Sequence, residues 1–532
     1  MEDESDDQMA FAPGIGAAIN CFFPLYNTQA EDFETKQNNL GLHRSRDPGT
    51  GAFTQYDERV AYAVKDLKAG EELFTDYGEG YFTENPEQYG LIPLYDNYTQ
   101  ADKLLREYMQ QLKETSHCNC ENTTKSTTEE SDTCNEKCNN TQMKTLHDEM
   151  YGLMKKLANV WPSRVLNALP EDPKVVEEIA EIGTEMVHYN RSIRDMNWLE
   201  ENGLCMDNMV VKPSTIKQAG RGAFAKRFIP KGGLVGPTPL IHLEKSIVDM
   251  YPGDYYQADD GSLYYWVDRE KGPMQKQLVL NYCYGHEESS VLLCPYGMHT
   301  SLINHNPDKS KVNAKLVWNH DLITHPEWLE LAPKEWIKIN HVGLFMDFVA
   351  LRDLQPGEEV FIDYGDAWQQ AWDNHVATWQ PPPGAESYRP SFELNKDIDL
   401  VVRTEEENLR YSGSEVELRC LSFFTSLEGY DYDPEENPWT YNCRAMMKRE
   451  NKRGEPRYVV EILERYDIEG ERGSDSGYCY EELEGVLFDA PRDAFEFEDA
   501  PYSRDTAQPW GFRHAIGIPE EIMPEIWKDL SS

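Results

Sequence analysis

The sequence predicts an α+β chain, mainly β, built around a module that occurs twice. Three observations carry that prediction. Residues 65–78 read KDLKAGEELFTDYG and residues 352–365 read RDLQPGEEVFIDYG, with nine of fourteen positions identical at a constant offset of 287. Helical periodicity fills the chain between the copies. Short alternating segments bounded by turn residues follow the second copy.

The first module covers 1–95. Asn20-Cys21 followed by Asn27 matches Asn304-His305 followed by Asn313. Nineteen residues precede Asn20, whereas about ninety residues containing STIKQAGRGAFAKRFIPKGGLV (214–235) precede Asn304. The first copy therefore reads as a C-terminal half only, either through loss of its first half or because the sequence begins inside it.

The stretch 96–205 reads as a helical linker, with apolar residues at helical spacing in 99–114 and 145–158. Val175, Ile179, Ile182, Met186, Tyr189, Ile193 and Met196 step by alternating fours and threes, a narrow seam on one helix face. Packing within the chain is the preferred reading of the seam, and a coiled-coil dimer the other. The insert 115–143 is polar and lacks periodicity, which predicts disorder. Its Cys118, Cys120, Cys134 and Cys138 have spacing open to zinc, but no histidine accompanies them. Free thiols in a flexible loop are preferred, and no metal is expected.

The second module, 206–380, is complete. WQPPPG (379–384) marks a linker. The region 390–532 reads as a small α+β domain, with strands at YNCRAMMKR and RYVVEILERY and a short helix at PEEIMPEIWKDL.

Charge narrows the function classes. The chain has 532 residues, with 51 basic against 95 acidic side chains and a net charge of −44. Such a surface repels phosphate backbones, so direct nucleic-acid binding is not expected, whereas basic proteins are attracted. Solubility alone also accounts for the charge. No signal peptide and no run of eighteen apolar residues is visible, so no membrane association is expected. Eleven cysteines in this length do not make a disulfide scaffold. The expectation is a soluble intracellular protein of the nucleus or cytoplasm.

Three elements in the second module carry chemistry. The first is Gly220-Arg221-Gly222-Ala223-Phe224, which alone is a tight turn. The second is Leu302-Ile303-Asn304-His305-Asn306-Pro307, which alone is a polar turn. The third runs from Val349 through Gln355-Pro356-Gly357-Glu358 to Asp363-Tyr364-Gly365, which alone is a hairpin.

In this order and at these separations, the three resemble the SET family of protein lysine methyltransferases, in an arrangement of paired SET-type modules. The resemblance implies small twisted β-sheets around a knot-like crossing, in which the last strand threads past the Asn-His segment. It implies S-adenosylmethionine as cofactor and a basic, lysine-rich protein such as a histone as substrate. By position, Arg221, Gly222 and Phe224 would lie along the donor, Asn304 and His305 at its adenosine end, and Trp368 over the adenine. Tyr364 would be catalytic, where the lysine channel meets the methyl group. Tyr282, Tyr284 and Phe361 would wall that channel, with core packing the equal alternative for the two tyrosines.

Two departures matter. Asn306-Pro307 replaces the family's usual Ser-Cys, and the cysteine cluster that often follows the domain is absent, so another segment must close the channel. Copy one has Cys21 in place of the histidine and no preceding GxG strand, so it is expected not to bind the donor. The competing readings are a catalytically inactive SET scaffold and transfer to histidine in place of lysine.

Overall fold

The computed structural model describes residues 19–30, 39–54, 61–84, 86–118, 148–156, 162–257, 263–404, 407, 416–421, 440–466, 485–500 and 503–530. The chain divides into two units. One comprises 1–14, 34–58 and 205–532, and the other 15–33 and 59–204. Among the described residues, no helix is long and apolar enough to cross a membrane.

The larger unit is built on a six-stranded sheet. Its order is Ala314–Trp318, Leu344–Ala350, Leu234–Glu244, Val291–Pro295, Tyr284–Gly285 and Ile516–Gly517. All pairings are antiparallel except the last. In Leu344–Ala350 the period of two is plain, because Leu344, Met346, Phe348 and Ala350 are buried while the residues between them are not. Those four join Val235, Leu240, Trp328, Trp336 and Trp527 in one core. Trp328 and Trp336 stack with ring centroids 5.0 Å apart.

Two further pairs complete the arrangement. Met209–Pro213 runs antiparallel to Arg221–Ala225. Asn304–His305 runs parallel to Phe361–Ile362, the crossing that the resemblance implied. The fold is thus mixed α+β and mainly β.

Three sequence readings need correction. Residues 173–199 are not one helix. The chain forms a helix at Val176–Ile182, single turns at Pro173–Val175, Thr184–Val187 and Tyr189–Arg191, and a second helix at Met196–Asn202. Gly183, at φ +105°, ends the first helix, so the seam spacing never spans a continuous face. Second, PEEIMPEIWKDL holds a single turn, Glu525–Trp527, because Pro524 removes the donor that a longer helix needs.

Third, 390–532 is not one body. Val416–Leu421, Thr440–Glu450, Pro456–Tyr466, Gly485–Ala490 and Phe495–Asp499 form their own five-stranded sheet. Residues 503–530 instead return to the first core, where Trp527 is fully buried and its indole N–H donates to the Trp328 carbonyl at 2.9 Å. Residues 39–54, assigned to the first module on sequence, also belong to this unit. Arg44 anchors them, paired with Asp505 and lying 3.3 Å from the Tyr388 ring centroid. Cys283–Cys294 and Cys420–Cys443 are disulfides, and neither pair has a distinctive sequence signature. Of the four cysteines in the insert, Cys118 ends the helix Tyr95–Cys118 and the other three lie outside the described residues.

The smaller unit repeats the crossing of the larger one. Asn20–Cys21 runs parallel to Phe74–Thr75. Asn27 splints the junction, its Nδ2 donating to the Glu72 carbonyl and its Oδ1 accepting from Phe74 N–H. Asn313 does the same with Glu359 and Phe361. Tyr77 donates its hydroxyl to the Ile19 carbonyl, as Tyr364 does to Ile303. The edge that Arg221–Ala225 covers in the larger unit is covered here by Ser192–Arg194. Glu72 N–H donates to the Ser192 carbonyl, and Arg194 N–H to the Gly70 carbonyl. The glycine-bearing strand is therefore replaced by a segment from downstream. Tyr77 is 38% exposed where Tyr364 is 8% exposed. A site this open cannot exclude water, so Tyr77→Phe is expected to leave methyl transfer unchanged; a drop beyond assay error in a rate measurement would show that the first module takes part.

Candidate active site

Asn304 is held by one buried carboxylate. Glu359, 4% exposed, accepts from Ser214 Oγ at 2.6 Å, Thr215 N–H at 2.8 Å, Thr215 Oγ1 at 2.5 Å and Asn304 Nδ2 at 3.3 Å. Asn304 Nδ2 also donates to the Arg221 carbonyl at 2.9 Å. These bonds tie the 214–219 loop, the Arg221 strand and the crossing strands together. They also explain Gly222, since a Cβ there would overlap Glu359 Oε1 and lie 3.2 Å from Asn304 Nδ2.

His305 is used from both sides. Its Nδ1 accepts from Tyr364 N–H at 3.0 Å, which leaves the ring proton on Nε2 to donate to Gln369 Oε1 at 2.8 Å. Gln369 Nε2 in turn donates to Asp373 at 2.7 Å. Both belong to the helix Asp366–Thr378, so the imidazole links the crossing to that helix. Trp368, on the same helix, lies edge-on to Tyr364, with centroids 4.9 Å apart at 87°.

Tyr364 donates its hydroxyl to the Ile303 carbonyl at 2.7 Å. Burial pushes its phenol well above the ordinary range, and nearby Tyr282 adds to the effect. Burial raises Tyr282 as well, opposed by the Thr54 N–H that its oxygen accepts and by Arg221 and Arg513. Both phenols keep their protons near neutral pH, so neither supplies a base.

These residues surround a cavity of about 640 Å³. Its wall includes Arg221, Tyr282, Asn304, His305, Tyr364 and Trp368, six of the ten residues proposed from sequence. The other four lie elsewhere. Gly222 faces Glu359, and Phe224 lies under Lys212 at 5.7 Å. Tyr284 is 1% exposed in the main core beside Phe348, and Phe361 is 8% exposed. Sequence reasoning missed Phe53, Asn281, Trp372, Asp373 and Phe512, which also line the cavity. The aromatic spacing Trp368, Trp372 on one helix face was the one available signal, because residues four apart share a face.

The cavity volume lies within the usual range for small-molecule and cofactor sites. Phe53, Trp368, Trp372 and Phe512 offer apolar faces for a planar base. Arg221 and Asp373 offer opposite charges for the polar ends of a zwitterion. The residues present therefore suit a nucleoside bearing an amino-acid chain.

The SET domain family model matches residues 220–365. No curated protein matches the chain. Among solved structures, a Plasmodium falciparum protein described as a histone methyltransferase is 18% identical, with 31% of this chain and 99% of that chain covered and a TM-score of 0.18. The Chaetomium thermophilum polycomb repressive complex 2 is 21% identical, with 33% of this chain and 17% of that chain covered and a TM-score of 0.17. The same complex bound to S-adenosylmethionine is 21% identical, with 36% of this chain and 19% of that chain covered and a TM-score of 0.17. This chain thus spans under a fifth of the polycomb chains.

Proposed function

We propose that this chain, whose residues 220–365 match the SET domain family model, is a methyltransferase that uses S-adenosylmethionine to methylate lysine side chains of a basic protein. One observation carries the reading: Arg221, Asn304, His305 and Tyr364, from three separate stretches of chain, line one cavity. Arg221, Asn304, His305 and Trp368 would hold the donor, which supplies an electrophilic methyl group on a sulfonium. Phe53 and Phe512 would add apolar walls.

The chain's own residues then have three tasks. They exclude water, position the amine and keep it neutral. A free lysine has a pKa near 10.4. Apolar walls disfavour its ammonium form, and so does a neighbouring positive charge. The Tyr364 hydroxyl, fixed by the Ile303 carbonyl, would orient the amine against the methyl group through its oxygen lone pairs. Much of the rate in such a displacement comes from positioning. Tyr282 would stand at the channel mouth. The acidic chain suits a lysine-rich partner such as a histone, and so the nucleus or cytoplasm.

The test is calorimetry of the full chain with S-adenosylmethionine, followed by incubation with labelled donor and a cell extract and mass spectrometry of the labelled residue. Saturable binding and label on lysine are expected. No binding would leave an inactive scaffold, and label on histidine would replace lysine as the acceptor.

A further inference from the structure

Part of the cavity wall is supplied by two segments far in sequence from the SET motif, through Ala52 and Phe53 of one and Phe512 of the other. Asn281 lines the cavity between them and uses its whole carboxamide to hold both. Its Nδ2 donates to the Ala52 carbonyl at 2.7 Å and to the Phe512 carbonyl at 2.8 Å. Its Oδ1 accepts from His514 N–H at 2.9 Å. The next residue continues the grip, because the Tyr282 oxygen accepts from Thr54 N–H at 2.8 Å. Arg513 then ties one segment to the other, donating to the Gly51 carbonyl at 2.7 Å.

What these bonds hold in place is aromatic. The Phe53 ring packs so closely on Gly220 that a Cβ there would come within 3.0 Å of it. Phe512 lies edge-on to Trp368, with centroids 5.5 Å apart at 82°, and to Trp372, 5.1 Å apart at 86°. Neither phenylalanine belongs to a strand or helix of its own. Both are kept on the cavity by backbone bonds to neighbouring residues.

We propose that Asn281 is a positioning residue for the methyl donor, clamping Phe53 and Phe512 over the cavity in place of the absent cysteine cluster. The proposal rests on the function inferred above. The Asn281 carboxamide bonds only to backbone groups of the two segments, so it acts on how tightly the donor is kept and not on the transfer itself. A carboxylate at 281 keeps the acceptor for His514 but loses both donated bonds and sets negative charge against two carbonyl oxygens. Asn281→Asp and Asn281→Ala therefore share one defect by different means.

The test measures donor affinity, kcat at saturating donor, and hydrogen exchange of the Thr54 and His514 amides in the full chain. For both variants the Kd for S-adenosylmethionine should rise at least about tenfold. The kcat at saturating donor should stay within about threefold of wild type. Exchange at Thr54 should quicken in both variants, and at His514 in Asn281→Ala, which removes its acceptor. Asn319→Ala, which removes a bond to Asp347 in a turn outside the cavity wall, serves as a control for general loosening and should leave Kd unchanged. An unchanged Kd in the Asn281 variants, or a fall in kcat at constant Kd, overturns the clamp. If wild type binds no donor, the function reading fails. The exchange rates then judge the clamp independently, and unaltered exchange overturns it.

Discussion

Tyr364→Phe is expected to lower kcat about a hundredfold while leaving the Kd for S-adenosylmethionine within about threefold. The ring stays, with its edge contact to Trp368 and its backbone bond to His305, so the cavity keeps its shape. Only the oxygen goes, and with it the group proposed to orient the amine. The Ile303 carbonyl also loses its partner, which costs about 1–2 kcal/mol of stability. Single-turnover assays separate the two effects, because a binding defect disappears at saturating donor and an orientation defect does not. A variant with wild-type single-turnover rate would remove Tyr364 from the mechanism.

The pH profile gives a second check on the same residue. Burial raises the Tyr364 phenol above its ordinary value of about 10, so the protonated form is the folded form. Its contribution to stability is fully present below the ordinary phenol range and is lost as pH climbs from there through the folded value. Between about pH 7 and 9 the wild-type rate should rise as substrate lysine loses its proton, with no break from Tyr364. A break in that window that vanished in Tyr364→Phe would mean the phenolate is a base, contrary to the geometry.

The site was partly legible in sequence for a definite reason. Asn304, His305 and Tyr364 lie close to a crossing whose strands are short, so each residue type has one structural task and the motif is dense. The GEE-F-DYG repeat recorded the same task twice, with Asn27 and Asn313 splinting each copy through both amide atoms. Assigning Gly222 and Phe224 to the donor ignored the strand's period of two, which turns them to the face opposite Arg221. A side chain at Gly222 would overlap Glu359. Phe53, Asn281 and Phe512 left no local trace, since no spacing rule connects residues more than two hundred positions apart. The missing cysteine cluster did show that something else must close the cavity, though not which segment.

Glu359→Ala is expected to cost about 3 kcal/mol of stability and most of the donor affinity together. The carboxylate is buried, and its partners have few other options. Removing it takes the acceptor from both the amide and hydroxyl of Thr215 near the cavity wall, and one acceptor each from the Ser214 hydroxyl and Asn304, while Ser214 Oγ still accepts from Ile216 N–H and Asn304 Nδ2. Each buried polar group left without a partner costs about 1–3 kcal/mol, offset in part by water entering the gap. For a domain of this size that loss should lower Tm by roughly 10 °C. The affinity loss follows from the same bonds, because the 214–219 loop forms one side of the cavity and Glu359 is what ties it to the crossing. Glu359→Gln separates the effects of charge and shape. It still accepts at one oxygen, but its amide group meets Thr215 N–H with a donor, so it should fall between wild type and alanine. Thermal melts and donor titrations of the two variants should therefore rank in the same order. If Glu359→Ala melted like wild type and bound donor as tightly, the carboxylate would not be the tie between loop and crossing, and the reading of Gly222 as its steric partner would fall with it.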